Sequence, residues 1–123
     1  LVLLAPVLYP WDVDEPIITP AIEAKWAASG DFPVEDGASG KMVALHHDFL
    51  VELRRLEKTE LPDNKPTLIV HGRRDEMVPY NHSLKFVSSN RSACLESLDD
   101  GHQLMAQPEF LLKTVVSFIG KCG

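Results

Sequence analysis

Asp75 and His102 are the residues whose types and placement could do chemistry. Asp75 lies in His71-Gly72-Arg73-Arg74-Asp75-Glu76-Met77-Val78-Pro79, just after the apolar run Thr67 to His71, and His102 follows the run Cys94 to Leu98. If both runs are strands of one parallel sheet, the two side chains project from the same edge, outside the carboxyl ends of the strands, where open α/β sheets form ligand sites. A carboxylate there accepts the proton on one imidazole nitrogen and fixes the tautomer. The other nitrogen is then free to take a proton from a hydroxyl nucleophile. Such a pair is two thirds of a triad. The bland alternatives are a loop carboxylate stabilising the next helix N-terminus, worth up to about 1 kcal/mol, and an ordinary turn histidine.

The surrounding pattern supplies the elements that would hold this pair. Leu1 to Ala5 is a short apolar run ended by prolines, the signature of a strand covered on both faces, and the chain reads as though it begins in mid-domain. From Trp11 to Gly40 periodicity fades into a loop or lid-like insertion with a short helix across Ala21 to Ala28. Met42, Leu45, Phe49, Leu53 and Leu56 then recur at helical spacing, with Glu52, Arg54, Arg55 and Lys58 on other faces, predicting an amphipathic helix against a sheet. A turn at Pro62 to Pro66 leads into the strand Thr67 to His71, stopped by Gly72. Pro79 opens a helix with Tyr80, Leu84 and Val87 on one face, ended by Ser88-Ser89-Asn90. The more polar Cys94 to Leu98 reads as a strand near the sheet edge, and Pro108 to Ile119 as a covering helix facing inward through Leu111, Val115, Phe118 and Ile119. Strands alternating with helices predict an α/β fold with a parallel sheet in one domain or part of one.

The run His-Gly-x-x-Asp-x-x-Val-Pro, followed by a strand and the Gly101-His102 pair, resembles the C-terminal half of α/β-hydrolases, particularly small serine hydrolases and esterases. The resemblance spans nearly the whole chain. It implies that Leu1 to Ala5, Thr67 to His71 and Cys94 to Leu98 are the sixth, seventh and eighth strands of that fold. It further implies Asp75 as acid and His102 as general base, acting on carboxylic ester, thioester or lactone substrates without a metal or organic cofactor. The family carries its serine in Gly-x-Ser-x-Gly at a strand-to-helix elbow. Gly37-Ala38-Ser39-Gly40-Lys41 fails that pattern at Lys41 and follows no apolar strand, so Ser39 is rejected. The nucleophile and oxyanion hole are expected upstream of Leu1, in the N-terminal half of the same domain. Met77, Val78 and Trp11 are candidate substrate contacts. Trp26 and Phe32 are either lid residues or anchors of the insertion, and Asp12 and Asp14 are reserve acids.

Other features narrow the function class. A net charge of -6 argues against a nucleic-acid partner, which needs a concentrated basic face, and fits a small, neutral or electron-deficient substrate better. Cys94 and Cys122 form neither a disulfide framework nor a Cys-x-x-Cys pair, which favours a reducing, cytoplasmic setting. The leading apolar run is too short and too proline-rich for a signal peptide or membrane anchor. His46-His47 sit on adjacent positions with no four-residue partner, so they are not read as metal ligands, and His82 is read as a solvated helix residue. The rival readings are a hydrolase-fold binding or scaffold protein without catalysis and, last, a small flavodoxin-like module.

Overall fold

The structure, a computed structural model, describes residues 1–57 and 64–122; Lys58, Pro62 and Asp63 of the expected helix and turn lie outside them. The elements in chain order are β1 (Val2–Leu4), α1 (Pro20–Ser29), β2 (Asp31–Glu35), β3 (Met42–His46), α2 (His47–Glu57), β4 (Thr67–Gly72), α3 (Tyr80–Ser89), β5 (Ala93–Leu98) and α4 (Pro108–Cys122). They fall into two compact units, one of residues 1–17 and 64–122 and one of residues 18–57.

The first unit is built on a parallel sheet in the order β1-β4-β5. Leu3 is registered with Ile69, and Ile69 with Leu95. Every residue of the central strand β4 is buried, because successive side chains point to opposite faces and both faces are covered. Leu68 and Val70 join Ala5, Leu98 and Leu104 in a core closed by Leu111, Val115 and Phe118 of α4. His71, of opposite parity on β4, meets Ser83 of α3, so α3 and α4 cover opposite faces. Full burial of each Leu, Ile or Val stabilises this layer by roughly 1.5–3 kcal/mol.

The strand buried along its whole length is β4, while on β1 Val2 packs on the core and Leu4 is exposed. Two expectations need correction here. Ile119 does not share the inner face of α4; it is 56% exposed, one position round from Phe118. On α3, Leu84 is exposed while His82 and Ser83 are buried. The Ser83 hydroxyl and His82 Nε2 find partners inside, so the apolar pattern alone misplaces that face.

The second unit is organised around Trp26. Helix α1 starts at Thr19, whose hydroxyl accepts the Ile22 N–H, and has Pro20 in its first turn. It ends at Gly30, held at φ 81°, whose N–H donates to the Trp26 carbonyl. The buried Trp26 indole donates to the Leu45 carbonyl at 2.9 Å and packs against Phe32 and Phe49 at ring-centroid distances of 5.3 and 6.2 Å. Trp26 and Phe32 thus anchor their own unit. Arg54 of α2 ties back to Glu23 of α1 through a two-pronged ion pair.

The helix expected from Met42 begins at His47. Met42–His46 is instead a strand paired antiparallel with Asp31–Glu35. A four-residue apolar run, Met42 to Leu45, fits a strand or a helix turn equally well by periodicity, and the turn chemistry decides. The Asp36 carboxylate accepts the N–H groups of Ala38 and Ser39 and closes the hairpin. Ser39 is fixed in that turn, its hydroxyl donating to Asp36, and His46 and His47 end the strand and start the helix.

Candidate active site

The site grows from the ends of β4 and β5. After Gly72 the chain enters the loop that carries Asp75, and after Leu98 the loop that carries His102. The two loops are stitched together by backbone hydrogen bonds from the Arg73 N–H to the Leu98 carbonyl and from the Arg74 N–H to the Asp100 carbonyl. Arg74 adds a side-chain clamp on the carboxylate and the carbonyl of Asp99. Gly72 permits this approach: a Cβ there would stand 2.3 Å from the Asp100 carbonyl oxygen and 2.5 Å from that of Gly101.

The His102 loop is also braced from within. Asp100 accepts the Gly101 and Ala106 N–H groups, each at 2.7 Å. Leu104 adopts φ 53° and is 3% exposed, its side chain in the core. The left-handed conformation costs a non-glycine residue roughly 1–2 kcal/mol, an amount that burying a leucine side chain offsets.

Asp75 is the hub. Its Oδ1 accepts the backbone N–H groups of Met77 and Val78 at 2.8 and 2.9 Å. Its Oδ2 accepts from His102 Nδ1 at 2.9 Å and from His71 Nε2 at 3.0 Å. Burial of the side chain pushes the carboxyl upward. The Val78 N–H, the His102 imidazole and the Met77 N–H outweigh that and hold it below its ordinary value. Asp75 is therefore an ionised acceptor, and the nitrogen that His102 turns to it carries the proton.

The His102 side chain is 31% exposed and makes no other hydrogen bond among the described residues, which leaves Nε2 unengaged. It lines a cleft of about 370 Å³ with Arg74, Glu76, Met77 and Gly101. Among the described residues no Ser, Thr or Cys lines that cleft.

The remaining candidates take varied positions. Met77 stands on the cleft, 63% exposed. Val78 is 3% exposed and meets Asp75 through its backbone N–H. Trp11 is half-buried in the turn after β1 and is not among the cleft residues. Asp12 pairs with Lys85 of α3 at 2.5 Å, which holds its carboxyl below the ordinary value, and Asp14 is exposed. His82, expected in solvent, is 1% exposed and bonds through Nε2 to the Glu15 carbonyl. Loop residues 9–15 dock on α3, and that contact buries it.

Sequence reasoning missed Ser83 and did not place His71 at the site. His71 Nδ1 lies 2.6 Å from Ser83 Oγ, and both residues are fully buried. Ser83, His71 and Asp75 thus form a chain of triad-like composition that no substrate can reach. Strand parity does place His71 on the β4 face opposite Leu68 and Val70, the one signal available beforehand.

Among the described residues no group of three or more His, Cys, Asp or Glu is arranged to hold a metal ion, and no helix is long and apolar enough to cross a membrane.

No model of a known protein family and no curated protein matches the chain. Solved structures do match it. A protein from Agrobacterium vitis S4, provisionally designated a hydrolase, aligns with a TM-score of 0.71 at 23% identity, over 96% of this chain and 48% of its own. Est1E from Butyrivibrio proteoclasticus aligns with a TM-score of 0.53 at 22% identity, over 82% of this chain and 47% of its own. Both have the α/β-hydrolase fold, and the chain spans about half the length of each. The fold of this chain is accordingly part of an α/β-hydrolase fold.

Proposed function

We propose that the chain supplies the acid and the base of a serine-type hydrolase acting on carboxylic ester, thioester or lactone bonds. The observation that carries this reading is the Asp75–His102 pair, 2.9 Å apart, with its second imidazole nitrogen unengaged and the ring on an open cleft. Asp75 orients His102 and stabilises the imidazolium that forms, and His102 Nε2 takes the proton of a serine hydroxyl as it attacks the acyl carbon. The same imidazolium then protonates the leaving alkoxide or thiolate. Water, deprotonated by His102, attacks the acyl-serine and releases the acid. No step calls for a metal or organic cofactor.

The nucleophile and oxyanion donors belong, in this reading, to residues preceding Leu1. Two observations support that: among the described residues the cleft has no hydroxyl or thiol side chain, and the chain spans about half of the structures it resembles. The exposed free thiols of Cys94 and Cys122 fit a cytoplasmic setting.

The test is turnover of a series of p-nitrophenyl acyl esters by the protein that carries its nucleophile. His102→Ala is expected to lower kcat by about 10⁴-fold or more. His46→Ala, whose side chain is 67% exposed between β3 and α2, is expected to leave turnover unchanged. Comparable losses in both variants would overturn the assignment.

A further inference from the structure

The buried His71 is not used by the mechanism above, yet it touches the acid at the same oxygen as the base. Its Nε2 lies 3.0 Å from Asp75 Oδ2 and 3.1 Å from the Val78 carbonyl oxygen. Both partners are acceptors only, so Nε2 carries a proton. Its Nδ1 faces the Ser83 hydroxyl at 2.6 Å, and Ser83, wholly buried, makes no other side-chain hydrogen bond among the described residues. A buried hydroxyl must place its proton on an acceptor, and the acceptor present is Nδ1. His71 is then a neutral imidazole, protonated at Nε2 and locked by Ser83.

Asp75 consequently receives four N–H donors: Met77, Val78, His71 and His102. A carboxylate offers about four lone-pair sites. Every site is filled, which fixes the rotation of the group and leaves none for a proton or a water.

We infer that His71, set in its tautomer by Ser83, is a positioning residue that fixes the Asp75 carboxylate so that Oδ2 meets His102 Nδ1. This rests on the hydrolase reading only for its catalytic consequence; the hydrogen-bond arrangement stands by itself. The charged groups around this network are Arg74 and Glu76 on the cleft, Asp99 paired with Arg74, and Asp100 bound to backbone N–H groups. None of them offers a hydrogen bond to Asp75 among the described residues, so His71 has no understudy.

Nitrogen NMR of the histidine-labelled chain tests this without any turnover. At neutral pH His71 is expected to show a pyrrole-type Nε2 and a pyridine-type Nδ1, and His102 a pyrrole-type Nδ1. Ser83→Ala, a small change, should move the His71 Nδ1 signal toward that of an unbonded pyridine-type nitrogen. His71→Phe should erase the Nδ1–H preference of His102, and His71→Gln, whose amide N–H reaches the same oxygen, should restore it. A His71 protonated on Nδ1, or a His71 Nδ1 signal indifferent to Ser83→Ala, overturns the inference even where His71→Phe fails to fold. A folded His71→Phe with His102 signals like those of the parent overturns it as well. If these signals appear as expected while His102→Ala leaves ester turnover intact, the hydrolase reading fails and the network stands.

Discussion

Gly72→Ala probes how the two site loops are held together. The added Cβ would lie 2.3 Å from the Asp100 carbonyl oxygen, 2.5 Å from that of Gly101 and 2.7 Å from the Asp100 carbonyl carbon, whereas ordinary contacts begin at 3.4 Å. All three atoms are backbone, so no side chain can rotate away, and the loops must separate by about 1 Å to reach a tolerable contact. His102 is one or two residues beyond those carbonyls, bonded to Asp75 at 2.9 Å. A displacement of that size carries the pair beyond hydrogen-bonding distance. Overpacking should cost about 1–3 kcal/mol of stability, and misplacing the base by about 1 Å should cost turnover on the order of 10²-fold. Urea unfolding gives the first quantity and ester turnover the second, and the Nδ1–H signal of His102 in nitrogen NMR reports the broken Asp75–His102 bond without requiring activity. A Gly72→Ala protein with parental stability and an unchanged His102 signal would refute the argument that Gly72 is required by this close approach.

The other predictions concern the same braces and the second unit. Asp75, held below its ordinary carboxyl value, adds stability above about pH 3.9, the unfolded value, and that contribution is lost as pH falls through the lower folded value. Asp75→Asn should therefore flatten the acid limb of a stability–pH profile. It should also weaken the fold at neutral pH, because an amide NH2 would face donors; an acid limb as steep as the parent's would count against this. Asp100→Ala removes the acceptor of the Gly101 and Ala106 N–H groups and should cost about 1–2 kcal/mol in thermal unfolding, whereas an unshifted melt would show that the carboxylate does not brace the loop. Leu50, 2% exposed in the second unit, should cost about 2–5 kcal/mol on replacement by alanine, read from chemical denaturation followed by tryptophan fluorescence.

The parallel sheet and its covering helices were legible because their signals are local. Thr67 to His71 and Cys94 to Leu98 are compact runs bounded by turn residues, and they appear as β4 and β5 with the more polar one at the edge. The hairpin Asp31–Glu35 with Met42–His46 was not legible, because it depends on an Asp36 turn and on a partner strand carrying Pro33. On α4 the expected Leu111, Val115 and Phe118 do pack against the core, whereas the face of α3 was misplaced for a related reason. Periodicity assumes apolar residues turn inward, while His82 and Ser83 are buried by hydrogen bonds to Glu15 and His71. At the candidate site, spacing and strand ends singled out Asp75 and His102, which lie 2.9 Å apart in the structure. The second imidazole on Asp75 required the approach of α3 to β4, a tertiary contact that no sequence window contains.

The central claim, that His102 backed by Asp75 serves as base for a serine outside this segment, is tested most directly by fluorophosphonate labelling of the purified protein, with mapping of the labelled peptide by mass spectrometry. The account predicts one labelled serine in residues preceding Leu1 and loss of labelling in His102→Ala. Absence of label, a label on Ser39 or Ser83, or labelling that persists undiminished in His102→Ala would contradict it.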